Sequence, residues 1–227
     1  MGKGLLVTGL GMPESNPALR LMMHIVEARF RRCGLPMETF WSEWEGRETL
    51  DKKYQRVTDK IATFSSIGKP NSQELVVPMV GISMGFQLAL PAAVEMGRSI
   101  NGIVGVVPVA RGRGANGGQF DSQFDKLESW GSKSCAESVR NIERYINPEV
   151  LSTIRSMAVI GNDELVFEGM SLLPGAIITP WNEAIRSTPK DSLSTVRSPY
   201  HKHAMIGAFL MIFNTRMLVD RLKQSGG

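Results

Sequence analysis

LVVPMVGISMGF, residues 75–86, is an apolar run rich in β-branched residues that ends in the pentapeptide G-I-S-M-G. The run predicts a buried strand, and residues 87–97 predict a helix immediately after it. G-x-S-x-G between a strand and a helix is typical of a nucleophile on a sharp turn. Because the backbone of such a turn is strained, its flanking positions must carry almost no side chain, and Gly81 and Gly85 satisfy this requirement. We therefore predict that Ser83 is a nucleophile at the carboxyl edge of a sheet.

Apolar runs and amphipathic segments alternate along the rest of the chain. The predicted strands are 4–8, 37–44, 75–82, 100–109 and 156–160, with a sixth at Ala176–Thr179 or at 193–196. The predicted helices are Pro17–Arg32, a segment from Leu50 that closes near Gly68, Phe86–Met96 and 204–222. This alternation implies right-handed crossovers between parallel strands. We expect one α/β domain over residues 1–227, with a doubly wound, mostly parallel sheet flanked by helices.

The composition is that of a folded protein with a sizeable core. The chain has 227 residues, of which 42% are hydrophobic and 21% charged, and this balance excludes a disordered chain. Basic residues outnumber acidic ones by 26 to 22, but they are scattered along the sequence, which argues against a nucleic-acid partner. No apolar run is long enough for a signal sequence or a membrane span, so we predict a cytoplasmic location.

The histidines supply the candidates for the base that a serine nucleophile needs. The chain has three, and His24 precedes Ser83 in the middle of a predicted helix, where a packed or surface position is expected. His201 and His203 follow Ser83 and come just before the last predicted helix. Since the order Ser, acid, His is typical of one large class of hydrolases, either of these two can be the base.

An acid is expected between the serine and the histidine, at the end of a strand. Asp163 follows the predicted strand 156–160 in the sequence M-A-V-I-G-N-D. That position puts it at the same sheet edge as Ser83. Alone, an aspartate here equally predicts a capped turn, but its place between Ser83 and the histidine pair favours the role of triad acid.

Two backbone amides are expected to stabilise the oxyanion of an acyl-transfer intermediate. One belongs to Met84, directly after the nucleophile, and the other to the loop that follows the first strand. In that loop Gly9 and Gly11 allow the backbone to bend, so that the amide of Leu10, or of Gly11, faces the site.

The loop after the first strand also has features of a cofactor site, and the histidine pair also has features of a metal site. Gly9-x-Gly11 between a strand and a helix resembles part of a dinucleotide loop, but Glu14 occupies the place of the third glycine and no G-K-[ST] follows. His201 and His203 form a His-x-His pair without a nearby third ligand, which makes a weak metal site. We predict neither a cofactor nor a metal.

A glycine-rich segment, residues 111–118, follows the fourth predicted strand. It predicts a flap at the same edge as Ser83, in which Arg111 or Arg113 contacts an anionic substrate, or else a loop with no specific role. Any cap must be small, because residues 111–155 are all that separate the fourth and fifth strands. A small or surface-exposed acyl substrate is therefore expected.

Several of these segments together resemble the α/β-hydrolase superfamily, over nearly the whole chain. G-I-S-M-G matches the family's nucleophile elbow, and G-N-D-E-L-V, residues 161–166, is similar to its acid segment. V-T-G-L-G, residues 7–11, resembles its oxyanion segment, with Thr8 where a histidine is usual. S-L-L-P-G-A, residues 171–176, is similar to a stretch in small lipase-like members. The resemblance starts at the family's third strand, which implies that the first two antiparallel strands are absent.

The resemblance implies a serine hydrolase that acts on small-molecule carboxylic esters through an acyl-enzyme intermediate. Its triad would be Ser83, Asp163 and either His203 or His201, with Leu10 and Met84 at the oxyanion hole. His203 is favoured because Ala204 and two apolar residues follow it, as is usual in the family, although the usual glycine before the histidine is absent. A catalytically inactive binding module and an acyltransferase are the alternatives.

Overall fold

A six-stranded parallel sheet forms the centre of the molecule in the part of the chain that the structure describes. The computed structural model describes residues 3–44, 46–66, 77–96, 100–106, 134, 137–138, 157–160, 176–179 and 199–224. The strands are β1 Gly4–Val7, β2 Met37–Phe40, β3 Val77–Ile82, β4 Ile100–Val106, β5 Met157–Ile160 and β6 Ala176–Thr179. Their order is β2-β1-β3-β4-β5-β6, and every neighbouring pair is parallel. The predicted parallel sheet is confirmed, with the sixth strand at the first of its two predicted positions.

Helices cover both faces of this sheet. Their bounds are α1 Pro17–Arg32, α2 Leu50–Ser66, α3 Phe86–Met96 and α4 Pro199–Gln224. The side chains of α1 and α4 join one apolar cluster, and those of α2 and α3 join the other on the opposite face. The doubly wound α/β architecture predicted from the sequence is therefore confirmed.

The first helix shows how the sequence sets an element's bounds. The Asn16 side chain accepts hydrogen bonds from the backbone N–H groups of Ala18 (3.0 Å) and Leu19 (3.3 Å), and Pro17 occupies the first turn. The helix ends before Gly34, whose φ of +77° suits a glycine. The predicted bounds are confirmed, and Ile25, although apolar, is 42% exposed. The buried stripe instead runs through Leu19, Met22, Met23, Val26 and Phe30.

The second strand is shorter than predicted. It ends at Phe40 rather than at residue 44. Beyond it the backbone turns out of the sheet, and Glu43 adopts a positive φ of 45°, which no strand accommodates. Two tryptophans, Trp41 and Trp44, follow the strand, but Trp44 is buried in the apolar core instead of pairing in the sheet.

The last helix is longer than predicted and begins earlier. It starts at Pro199, because proline is well tolerated in the first turn of a helix. His201 and His203 therefore lie inside its first turns, and the prediction that they precede the helix is wrong. Asn214 has non-helical backbone angles (φ −114°, ψ 19°) and kinks the helix. Phe213, directly before the kink, is 36% exposed.

Among the described strands β2 lies at one edge of the sheet, and α1 supplies a side chain to that edge. The Glu27 carboxylate accepts hydrogen bonds from the Thr39 backbone N–H (2.8 Å) and from the Thr39 hydroxyl (2.7 Å). Next to it, Glu38 pairs with Lys3 and Lys60. This edge of the sheet therefore carries charged side chains, and one of its backbone N–H groups is already hydrogen-bonded.

Candidate active site

Ser83 lies on a tight turn between β3 and α3. The turn is a single 3₁₀ segment, Ser83–Gly85, and Ser83 has a φ of +51°, although it is not a glycine. A non-glycine residue in this region is strained and persists only where its surroundings enforce it. The Ser83 residue is 4% exposed.

The two flanking glycines show what enforces the turn. A Cβ atom at Gly81 would lie 2.5 Å from the Phe86 Cα, and one at Gly85 would lie 2.7 Å from the Thr8 carbonyl oxygen. Neither position has room for a methyl group. The first turn of α3 and the end of β1 thus press against the two sides of the nucleophile turn, as expected from the G-x-S-x-G pattern.

The loop after β1 touches this turn directly. A Cβ atom at Gly9 would lie 2.9 Å from the Ser83 Cβ and 2.6 Å from the Ile82 carbonyl oxygen. Gly9 is therefore needed for close packing of the two loops. Leu10 and the buried Met84 belong to the same apolar cluster, so the two predicted oxyanion residues lie on loops that are in contact.

The position of this contact in the sheet is typical of a ligand site. β1 lies between β2 and β3, so the chain leaves β1 toward one side of the sheet and later returns on the other. In open parallel sheets, crevices form at the carboxyl ends of strands where the strand order reverses in this way. Ser83 and Gly9 follow the two strands on either side of that point.

Thr8 is held by the loop that follows β2. The Ser42 backbone N–H donates to the Thr8 hydroxyl (3.1 Å), and the Ser42 hydroxyl donates to the Thr8 carbonyl oxygen (2.5 Å). The Trp44 indole N–H donates to the same carbonyl at 3.3 Å. These bonds fix the residue directly before Gly9, and no pattern in the sequence predicted them.

Lys53, a buried residue of α2, in turn holds that loop. Its ammonium group donates to the carbonyl oxygens of Ser42 and Glu43, both at 2.7 Å, and lies 3.7 Å from the Glu48 carboxylate. Burial lowers the pKa of Lys53, and the neighbouring Glu48 charge opposes this shift. The signal for this residue was available, because position 53 falls on the apolar stripe of α2, between Leu50 and Val57.

Gln87 of α3, four residues after Ser83, is the second buried polar residue that the sequence did not point to. Its carbonyl oxygen accepts from the Tyr54 hydroxyl (3.0 Å), and its side-chain oxygen accepts from the Ser138 hydroxyl (2.7 Å). Its side-chain nitrogen is buried and has no hydrogen-bond partner among the described residues. Ser138 belongs to the stretch between the fourth and fifth strands where a small cap was expected, so this part of that stretch packs against the helix behind Ser83.

The direction of α4 places the two candidate bases. Lys223, near its end, donates to the carbonyl oxygen of Cys33 at the end of α1 (3.2 Å), and α4 also contacts the turn Ser83–Gly85. α1 begins at the carboxyl edge of the sheet, so α4 runs parallel to α1 and begins at the same edge. The backbone of His201 and His203 therefore lies at the sheet edge that carries Ser83.

Asp163 falls outside the described residues. β5 ends at Ile160, which pairs with Val106 of β4. The carboxyl end of β5 is thus two strands from that of β3, roughly 10 Å at the usual strand spacing. His24, the remaining histidine, has a side chain that is 69% exposed and lies 3.5 Å from the Glu27 carboxylate, so it is a surface residue.

The described residues contain neither a metal-binding cluster nor a membrane-spanning helix. No group of three or more His, Cys, Asp and Glu side chains is arranged to hold a metal ion within the described ranges. None of the helices, as far as the structure describes them, is long and apolar enough to cross a membrane.

Neither a protein-family model nor a curated protein sequence matches this chain, but solved structures do. Paleococcus ferrophilus monoacylglycerol lipase superposes with a TM-score of 0.53 at 12% identity, over 92% of this chain and 93% of that one. Est1E from Butyrivibrio proteoclasticus gives 0.51 at 14% identity, over 78% and 76%. Est816, described as an N-acyl homoserine lactone degrading enzyme, gives 0.53 at 9% identity, over 78% and 83%.

The chain has the α/β-hydrolase fold. In this fold the nucleophile stands on the turn after a central strand, and an oxyanion amide comes from the loop after the neighbouring strand. The turn after β3 and the loop after β1 occupy these two places. The resemblance seen in the sequence is confirmed at the level of the fold.

Proposed function

We propose that this chain is a serine hydrolase that cleaves carboxylic esters. The observation that carries the proposal is the left-handed backbone of Ser83, enforced by Gly81 and Gly85 and packed against Gly9. A serine held this way has a function to perform, since a glycine would occupy the same turn without strain. The similarity to a fold that includes a named monoacylglycerol lipase supports an ester substrate.

In the proposed mechanism, the Ser83 hydroxyl attacks the ester carbonyl while His203, or His201, takes its proton. Asp163 orients the imidazole and stabilises its protonated form. The backbone amides of Met84 and Leu10 stabilise the oxyanion. The intermediate then collapses, and the histidine returns the proton to the leaving alcohol. Water, deprotonated by the same histidine, releases the acid and restores the Ser83 hydroxyl.

The first test is Ser83→Ala, compared with Ser66→Ala as a control at an exposed serine of α2. Hydrolysis of a short p-nitrophenyl ester should fall by a factor on the order of 10⁶ in Ser83→Ala, because the nucleophile is removed. A fluorophosphonate probe should label the wild type and Ser66→Ala but not Ser83→Ala. Undiminished turnover in Ser83→Ala would rule out the mechanism, and an unlabelled wild type would favour an inactive binding module.

The second test separates the candidate bases. One of His201→Ala and His203→Ala should lower kcat by a factor on the order of 10⁴ or more, and the other should have a small effect. His24→Ala is the control, since its side chain is on the surface. Equal, mild losses in both variants would mean that neither histidine is the base.

A further inference from the structure

The outer surface of the α1–α4 layer is unusual in its apolar content. Three large hydrophobic side chains are exposed among the described residues, and all three lie on these two helices: Leu21 (64%), Ile25 and Phe213. Single exposed hydrophobic residues are normal on any protein. Here, however, all three lie on one layer of helices, which sets this layer apart from the rest of the described surface.

The three side chains lie at the same height on neighbouring helices. The hydrogen bond from Lys223 to Cys33 aligns the ends of α4 and α1, which run parallel. Phe213 is ten residues before Lys223, and ten residues before Cys33 is Met23, which lies between Leu21 and Ile25. Since packed helix axes are about 8–10 Å apart, we infer that the three exposed side chains share one patch.

The same layer is more positively charged than the layer on the opposite face of the sheet. α1 and α4 contain eight basic and two acidic residues, a net charge of +6, whereas α2 and α3 contain four basic and three acidic residues, a net charge of +1. One of the two acids, Glu27, is hydrogen-bonded to Thr39. Among the basic residues of α1 and α4 whose side chains are described, six are exposed: Arg20, Arg29, Arg31, Arg32, Arg216 and Lys223.

We propose that this face, defined by Leu21, Ile25, Phe213 and the surrounding basic residues, binds the surface of an anionic lipid bilayer. Basic side chains are attracted to anionic headgroups, and exposed Leu, Ile and Phe side chains insert at the boundary with the acyl chains. A second copy of this chain is a poor partner, because two faces that both carry exposed arginines would repel each other. A nucleic acid matches the charge but leaves Leu21 and Ile25 without an apolar partner.

The test measures how the full chain co-sediments with vesicles of phosphatidylcholine alone and of mixed phosphatidylcholine and phosphatidylserine. Binding should require phosphatidylserine at about 0.1 M salt and be lost near 1 M, where the Debye length falls from about 10 Å to about 3 Å. Hydrolysis is not the readout, so Ser83→Ala should bind as the wild type does. Membrane binding and the proposed esterase activity can therefore fail independently.

Two double variants and one control locate the binding face. Arg31→Gln with Arg32→Gln should weaken binding on the order of twentyfold, at roughly fivefold for each charge. Leu21→Ser with Ile25→Ser should weaken it on the order of tenfold with unchanged salt dependence. Lys52→Gln with Lys60→Gln, on α2, removes the same net charge from the opposite layer and should have little effect. All four positions on the proposed face are exposed, so circular dichroism should show folded variants.

The proposal is supported by phosphatidylserine-dependent binding that both α1 variants weaken and the α2 variant leaves intact. It is overturned if no vesicle binds at low salt, or if the α2 variant loses as much binding as the arginine variant. It is also overturned if Leu21→Ser with Ile25→Ser binds normally and duplex DNA competes, since the face would then be a general polyanion site.

Discussion

The turn after β3 and the loop after β1 meet at one edge of the sheet, but different forces hold them. The Ser83 turn is shaped by steric exclusion at Gly81 and Gly85, both within two residues of the nucleophile. The loop after β1 is held by hydrogen bonds to Thr8 from Ser42 and Trp44, which are 34 and 36 positions away. The glycines that make the Ser83 turn possible are thus close to it in the sequence, whereas the residues that hold Thr8 are distant in the sequence. The two loops should therefore respond differently to substitution.

The largest effect is expected at the sterically closed turn. Gly85→Ala places a methyl group against the carbonyl oxygens of Val7 and Thr8. We expect the free energy of unfolding to fall by about 3 kcal/mol, measured by urea denaturation, and fluorophosphonate labelling of Ser83 to be lost.

Gly11→Ala is the matched control for that variant. Gly11 has a φ of +73°, and no atom lies within 4 Å of the position that an alanine methyl group would take there, so only backbone strain of about 1–2 kcal/mol is expected. A loss in Gly85→Ala no larger than that in Gly11→Ala would contradict the strong crowding inferred at Gly85.

A smaller effect is expected where hydrogen bonds hold the structure. Lys53→Met keeps much of the side chain's length and apolar contact but leaves the carbonyl oxygens of Ser42 and Glu43 without their donor. We expect a loss of about 2 kcal/mol in the free energy of unfolding, the usual cost of unpaired buried polar groups. Lys52→Met, at the exposed neighbouring position, should change it little.

The pH dependence of the same variant has a defined sign. Because burial lowers the pKa of Lys53 in the folded state, the unfolded chain binds more protons between that pKa and the usual value of 10.5. Below the folded pKa, the folded protein bears the full free-energy cost of keeping a charged ammonium group buried. This cost is relieved as pH rises toward 10.5, because the buried group loses its proton. The stability difference between wild type and Lys53→Met should therefore grow with pH in alkaline urea titrations, and a constant difference would contradict the assignment.

The smallest effect on stability, with a specific effect on activity, is expected at Thr8. Thr8→Val removes the hydroxyl that accepts from the Ser42 backbone N–H, at a cost of about 1 kcal/mol. If Thr8 positions the amide of Leu10, kcat should fall several-fold while KM changes little. Thr8→Ser retains the hydroxyl and should have the kcat of the wild type. Equal activity in the wild type, Thr8→Val and Thr8→Ser would show that the hydrogen bonds of Thr8 do not affect catalysis.

The sequence predicted those parts of the fold that short patterns encode. Asn16 and Pro17 marked the start of α1, and the glycines around Ser83 marked the nucleophile turn, since their determinants lie within a few residues. The start of α4 and the end of β2 were misjudged, because Pro199 and Trp44 are ambiguous without their tertiary neighbours. The Thr8–Ser42 bonds could not be foreseen, as they join two loops only after β1 and β2 pair. Asp163 stays a prediction from the sequence.

The hydrogen bonds between Glu27 and Thr39 have a consequence for the protein's behaviour at high concentration. An open edge of a parallel sheet presents backbone donors that can recruit a strand from a neighbouring molecule. At β2 a carboxylate from α1 already occupies one such donor, and the charged cluster of Lys3, Glu38 and Lys60 lies beside it. A side chain thus occupies a backbone donor that a strand from a neighbouring molecule would need, so we expect Glu27→Ala to aggregate more readily than the wild type at high concentration.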